Sequence, residues 1–209
     1  EFRRVLFRSP SFSLISLAVL GVVMVLAWKR QQVTGNAGIV DPIWAASLGL
    51  LAFTCAWYGD GWMPRRILVG TLAGLWSLRL TWHLTTRLVS EREDGRYTIL
   101  RERWGVRFNS TLFWFYQAQS FLSVLLSLAF FALCSSTEAG WRIQDVLAVL
   151  VWLASWMGQA VADGQLRAWR STPGNQGVTC RSGLWRYSRH PNYFFEWCGW
   201  LVYPLIGIG

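Results

Sequence analysis

The densest run of reactive side chains is Gly183–Glu196, GLWRYSRHPNYFFE, with two Arg, a His, an Asn, two Tyr and a Glu in fourteen residues. Pro191 pushes His190 away from helical backbone and suits the first turn of a helix that begins just after it. Asn192 then falls in that first turn, and Glu196 lies one turn further along the same side. A helix N-terminus with free backbone N–H groups, flanked by Arg186, Arg189 and His190, is suited to holding an anion. A phosphate-bearing cofactor is the simplest such ligand, with Tyr187 and Tyr193 beside it. The competing reading is a basic patch against anionic lipid headgroups. Such a patch needs only Lys or Arg, not Asn, His and Tyr at set offsets.

Two further clusters carry similar chemistry. Gln159, Asp163, Arg167 and Arg170 are spaced by four, four and three residues, so a helix would put them all on one face. That face could be a plain surface ion pair, worth little alone, or a grip on a nucleotide's hydroxyls and phosphates. Glu93-Asp94-Gly95-Arg96-Tyr97 offers a turn, a guanidinium fork and a phenol, or else a solvated charge run. Within apolar sequence, the ionisable residues are Asp41, Arg79 and His83, with Glu196 at an edge. Ionisable groups in lipid are costly and are functional candidates by default. Arg79 and His83 share a helical face. Asp41 is either a helix cap at the interface or an active-site acid. There is no dinucleotide glycine motif after a strand, no P-loop lysine and no H-E-x-x-H. The four cysteines show no C-x-x-C spacing, so neither a zinc site nor a disulfide framework is signalled.

These residues must be positioned by an unusually apolar chain. Hydrophobic residues make up 53% and charged residues only 15%, against about a quarter in soluble domains. Five runs, Ser11–Trp28, Gly38–Tyr58, Ile67–Thr86, Thr111–Cys134 and Ile143–Ala162, are near the roughly 20 residues that cross a bilayer. A sixth starts around Phe194 and is cut off at Gly209. In lipid, runs of this length must be helices, because no water is there to satisfy the backbone. The fold class expected is all-α: a polytopic transmembrane bundle of five complete helices and a truncated sixth, forming one domain over residues 10–209. Glu1–Ser9 looks like a translated sequencing adapter and is set aside. Without it, the formal charge falls from +9 to +7, since three Arg and one Glu go. Ser11–Trp28 reads as an uncleaved first helix rather than a signal peptide, since no small-residue cleavage site follows Trp28.

Alternate loops differ sharply in charge. Lys29, Arg30, six arginines between Arg87 and Arg107 and five between Arg167 and Arg189 put thirteen cations on one side. Arg65, Arg66 and Arg142 put three on the other. The positive-inside rule makes the first set cytoplasmic and the N-terminus external. The basic balance therefore calls for no nucleic acid. Trp28, Trp57, Trp62, Trp104, Trp141 and Trp185 lie near run ends, as interfacial anchors do. The two loops Ser90–Asn109 and Gly164–Asn192 exceed a simple connector and carry the composition of ordered, ligand-holding segments. A short interfacial helix is expected over Tyr97–Trp104.

The stretch D-x-Q-L-x-x-W-R at Asp163–Arg170, followed by GLWRYSRHPNYFFEW, resembles the C-terminal domain of the steroid 5-alpha-reductase family. It is closest to that family's uncharacterised bacterial DUF1295 branch, as are EDGRY and the VDPIW around Asp41. The resemblance implies a membrane-bound reductase that holds NADPH from the cytosolic side of a bacterial inner membrane. Its reaction would reduce a carbon–carbon double bond conjugated to a carbonyl in a steroid-like or other small hydrophobic substrate. Carried over by position, Asp163, Arg170, Arg96, Asn192, Tyr187 and Arg189 would hold NADPH, with Tyr97, Arg167, Arg186, His190 and Tyr193 around them and Glu196 supporting Asn192. Negative charge would build on the carbonyl oxygen during hydride transfer, so a donor aimed there lowers the barrier. Asp41, kept protonated by an apolar surround, is the expected donor, with Arg79 and His83 as further catalytic candidates. The alternative is an S-adenosylmethionine-dependent membrane methyltransferase of the isoprenylcysteine carboxyl type, which shares an Arg-His-Pro-x-Tyr signature. A non-catalytic lipid-binding protein is the third class.

Overall fold

The computed structural model describes residues 2–90, 93–175 and 177–208, the first eight of these by backbone alone. Of the stretch read as an adapter, Glu1 and the side chains of residues 2–9 lie outside what is described, as does Arg92 in the first long loop. Every regular element is helical, and no strand occurs among the described residues. The chain divides into two compact units, Glu1–Glu138 and Ala139–Gly209.

The first unit contains α1 (Phe2–Thr34), α2 (Val40–Tyr58), α3 (Met63–Ser90), α4 (Gly95–Trp104) and α5 (Phe108–Cys134). Short 3-10 turns, Ala37–Ile39 and Gly105–Arg107, precede α2 and α5. α2 and α3 form a hairpin with very close backbones: a β-carbon at Gly49 would overlap the Ser77 side chain. Ser77 uses that proximity to donate its hydroxyl to the Ala45 carbonyl at 2.8 Å. The C-terminal carbonyls of α2, which have no partner within the helix, are taken by Arg66. Its Nε donates to Ala56 O at 2.8 Å and its Nη2 to Trp57 O at 2.7 Å. At the opposite end, Met24, Val40, Tyr97, Phe108, Leu112 and Tyr116 form a core that joins α1, α2, α4 and α5.

The second unit contains α6 (Ile143–Ser171), α7 (Pro191–Trp200) and α8 (Val202–Gly207), with a 3-10 turn at Gly183–Arg186. α7 lies against α6 because Gly158 leaves room for the ring of Phe195 over its Cα. The start of α6 is fixed by Asp145, whose Oδ2 accepts from the Arg142 backbone N–H at 2.9 Å. The Arg142 side chain in turn donates to Ile206 O at 2.6 Å, tying α8 back to the head of α6.

All five expected long helices form, and the short interfacial helix is α4. The sixth run is not a single helix. It begins at Pro191, breaks at Leu201 and resumes at Val202. Pro204 is the physical reason: it has no N–H to give, and its ring would collide with the carbonyl four residues back, that of Trp200. Among the described residues, four stretches are long and apolar enough to cross a membrane: Pro10–Thr34, Ala37–Tyr58, Gly95–Cys134 and Ile143–Ser171, with mean hydropathies of 2.3, 1.6, 1.7 and 1.5. α3 is as long, but Arg65, Arg66, Arg79, His83 and Arg87 along it make it more polar. Outward-facing Leu14, Val22, Leu50, Phe53, Phe121 and Leu150 are exposed. Such surfaces are stable against acyl chains, not water. The chain is an integral membrane protein.

Candidate functional site

In the second unit the site is built on the end of α6. That helix runs past the apolar stretch at Ala162 and carries Asp163, Arg167 and Arg170 on its overhang. The chain that follows is bound to this overhang by side chains rather than left loose. Leu184 N donates to Gln165 Oε1 at 2.9 Å, and the Trp185 indole donates to Ala162 O at 2.9 Å. Asn175 Nδ2 reaches Trp169 O at 3.0 Å, and the Trp169 indole reaches Val178 O at 3.3 Å. Gly183 permits the close approach: its φ of +57° is the left-handed region, and a β-carbon there would strike Gln165. Described residues of the second long loop are thus tied to α6 at several points.

α7 then starts as expected, with His190 at the cap position and Pro191 in the first turn. Asn192 Nδ2 donates to Asp163 Oδ1 at 3.1 Å, joining the first turn of α7 to the overhang of α6. The other amide atom, Oδ1, accepts from Tyr193 N at 3.0 Å. His190 and Tyr193 stack in parallel, 5.3 Å apart and 5° from coplanar. Glu196 accepts from the Trp200 indole at 3.2 Å, and Gln159 is buried on the α6 face against α7. Between Gly164 and Asn192 the sequence holds five arginines and no acid. Arg167, Arg170, Arg181, Arg186 and Arg189 are all exposed, and so is Tyr187. None of the five arginines makes an ion pair among the described residues. Five guanidiniums without counter-ions on an ordered frame can take phosphate oxygens, bidentately where geometry allows.

In the first unit a separate polar cluster links two motifs that lie 55 residues apart. Tyr97 donates its hydroxyl to Asp41 Oδ1 at 2.9 Å, and Arg96 Nη2 donates to Asp41 Oδ2 at 3.1 Å. Asp94 caps α4 by accepting from Arg96 N at 2.9 Å. The same carboxylate takes Arg96 Nε at 3.1 Å, Arg96 Nη2 at 3.2 Å and Arg87 Nη2 at 2.6 Å. Burial works against the charge on Asp94. The hydrogen bonds from Arg96 and the guanidiniums of Arg96 and Arg87 nevertheless hold its carboxyl below the usual carboxylate range. Glu93 fastens the turn between α1 and α2: its Oε1 accepts from Ala37 N at 2.7 Å and from Arg101 Nη2 at 3.1 Å. Tyr116 completes that lock by donating to Ala37 O at 2.6 Å. A shallow cleft of about 30 Å³ opens beside Asn36, Asp41, Arg87 and Asp94. It has room for a water or two.

One expectation changes here. Asp41 is not a helix cap, since α2 is preceded by Ile39 with no side-chain cap bond. Its two oxygens are engaged by the Tyr97 hydroxyl and the Arg96 guanidinium. Tyr97, expected beside the cofactor, is 2% exposed with its hydroxyl on Asp41. Arg96 is the more open member and bridges Asp41 and Asp94. Arg79 and His83 do share a face of α3, half-buried, two turns and one turn before Arg87 respectively. Sequence reasoning missed the structural work of Glu93 and Asp94. An acidic residue just before a helical stretch is an N-cap signal, and Asp94 was legible on that ground.

Residues 27–209 match the family described as a protein of unknown function, DUF1295. The chain belongs to the DUF1295 family. It is also similar to an uncharacterized protein of Schizosaccharomyces pombe, with 25% identity over 90% of this chain. This DUF1295 chain spans 62% of that relative's length. No solved structure matches it. The family assignment covers both polar clusters, from Asp41 in α2 to Glu196 in α7.

Proposed function

We propose that this protein is a membrane-bound, NADPH-dependent reductase of the steroid 5-alpha-reductase type, acting on a double bond conjugated to a carbonyl in a hydrophobic substrate. The observation that carries the reading is the Asp163–Asn192 tie, 3.1 Å long, at the edge of an acid-free segment with five unpaired arginines. That donor set suits a cofactor with several phosphates. Arg167, Arg170, Arg186 and Arg189 would take phosphate oxygens, Asn192 and Asp163 a hydroxyl or amide, and Tyr187, His190 and Tyr193 the flat surface of a base. NADPH, when bound, supplies hydride. The chain's own part is to fix the cofactor's charged end and to offer an apolar surround in which a carbonyl is polarised without competing water. Asp41, engaged by Tyr97 and Arg96, is the first unit's candidate for polarising that carbonyl, and Arg79 and His83 are the other candidates near apolar sequence. The charge asymmetry of the loops supports a cytoplasmic position for the arginine-rich segments and an external N-terminus, in a bacterial inner membrane.

The test is a titration of the detergent-solubilised protein with NADPH, NADH and S-adenosylmethionine, followed by nicotinamide fluorescence and calorimetry. The expected result is NADPH binding at least about tenfold tighter than NADH, a gap of about 1.4 kcal/mol. Binding of S-adenosylmethionine in place of either nucleotide would favour the methyltransferase reading. S-adenosylmethionine carries no phosphate and leaves the five arginines unexplained.

A further inference from the structure

The segment Gly95–Arg107 has two faces of opposite character. Its inner face is nailed to the first unit's core by buried Tyr97 and by Leu100 and Trp104 packed beside it. Arg101 adds to this, with its guanidinium 4.1 Å from the centre of the Phe108 ring. The outer face presents Ile99, Arg103 and Val106 at helical spacing, with Arg107 next to Val106. Ile99 is 64% exposed and Val106 fully so, at 103%. Val106 stands on the 3-10 turn that begins at Gly105, whose φ of +49° turns the chain outward at that point. A branched apolar side chain held clear of every neighbour, on a rigid turn between two exposed arginines, is unfavourable in water.

Three observations say what covers it. α5 begins at Phe108, two residues after Val106, and is continuous with a stretch apolar enough to cross a membrane. The tip therefore sits where a spanning helix enters the bilayer. Trp28 donates its indole N–H to Asn109 O at 2.8 Å, which brings the end of α1 to the same level. Lys29 and Arg30, just beyond it, are exposed there. Lys29, Arg30, Arg103 and Arg107 make no ion pair among the described residues, and Glu102 is the acid on the outer face of the segment.

We propose that this face docks on an anionic lipid surface. Ile99 and Val106 enter the acyl boundary, and Lys29, Arg30, Arg103 and Arg107 meet lipid phosphates. The inference is independent of the reductase reading, because it uses none of the residues of the second unit. It makes α4 an in-plane anchor that fixes the height of the Asp41–Tyr97–Asp94 cluster relative to the headgroups. Each cation near a charged leaflet contributes about a fivefold preference for anionic over zwitterionic lipid.

The experiment places a nitroxide at position 106 through Val106→Cys in full-length protein and reconstitutes it in phosphatidylcholine vesicles with and without 30% phosphatidylglycerol. Native Cys55, Cys134 and Cys180 are buried, and a spin-labelled wild-type sample corrects for Cys198. Collision with oxygen should exceed collision with a water-soluble nickel complex, more so with phosphatidylglycerol present. Nickel access equal to that of a free label would overturn the proposal. The second arm is Arg103→Gln/Arg107→Gln, with phosphatidylglycerol retention read by native mass spectrometry. Retention should fall by roughly 25-fold at most and at least several-fold. Unchanged retention would show that the arginines meet something other than lipid phosphate and would refute the docking surface.

Discussion

Replacing Asp94 separates the two things its carboxylate does. Oδ1 caps α4 by accepting from the Arg96 backbone at 2.9 Å, while both oxygens take guanidinium N–H groups from Arg96 and Arg87. Asp94→Asn keeps an amide oxygen able to cap, since Asn is as good an N-cap as Asp. It loses the charge that strengthens the arginine contacts. Asp94→Ala loses both. A cap contributes about 1 kcal/mol. The Arg87 contact, 2.6 Å long with both side chains partly shielded, contributes about 1 kcal/mol after discounting for solvent. Arg96 is more exposed, and its contacts contribute roughly 0.5 kcal/mol. The alanine variant should therefore lose about 2.5 kcal/mol and the asparagine variant about 1.5. At 2–4 °C per kcal/mol for a chain of this size, melting should fall by about 5–10 °C and about 3–6 °C respectively. Intrinsic tryptophan fluorescence during heating in mild detergent reads both. Equal losses in the two variants would refute the cap. A change under about 1 °C in either would refute the view that this cluster holds α3, α4 and α2 together.

Asp94 also predicts a pH dependence. Its carboxyl is held below the unfolded value of about 3.9. Its contribution is therefore full above that value and is lost as pH falls through the lower folded one. The melting difference between wild type and Asp94→Asn should be constant from pH 5 to 7 and shrink toward pH 3. Tyr97→Phe removes one of the two donors to Asp41 and should cost about 1–2 kcal/mol, read by the same melting assay. Asn192→Ala should weaken NADPH about tenfold, as loss of a hydrogen bond in a charged network does, with little change in melting. Gly158→Val forces Phe195 off α6, which should cost about 1–3 kcal/mol. It should also speed maleimide labelling of Cys198, which is half-buried on α7.

Length and hydropathy made the long helices legible, because a bilayer tolerates few other structures. Pro191 marked the start of α7 for the same kind of reason, a local backbone constraint. The break at Leu201 was readable from Pro204 by the same logic. What the sequence could not show was pairing across distance. Nothing in VDPIW announces that Asp41 meets Tyr97, or that Glu93 will hold the turn at Ala37. These contacts depend on how α2, α4 and α5 cross, and many side chains could satisfy a lone carboxylate. The Asp163–Asn192 contact was half legible. The spacing put Asp163 on the polar face of α6, and the proline put Asn192 in the first turn of α7, but only packing through Gly158 and Phe195 brings the two turns together.

α6 has a mechanical consequence. Its 29 residues measure roughly 43 Å at 1.5 Å per residue, while the hydrocarbon layer is only about 30 Å thick. With Ile143 at one boundary, the last nine residues rise about 13 Å beyond the other, past most of the headgroup layer. The helix is thus a mast that carries its arginine crown beyond the hydrocarbon layer, where the nucleotide of the proposed function would arrive by diffusion. Shortening the mast by two turns would sink that crown among the phosphates of the lipids themselves, where headgroups would compete for every guanidinium.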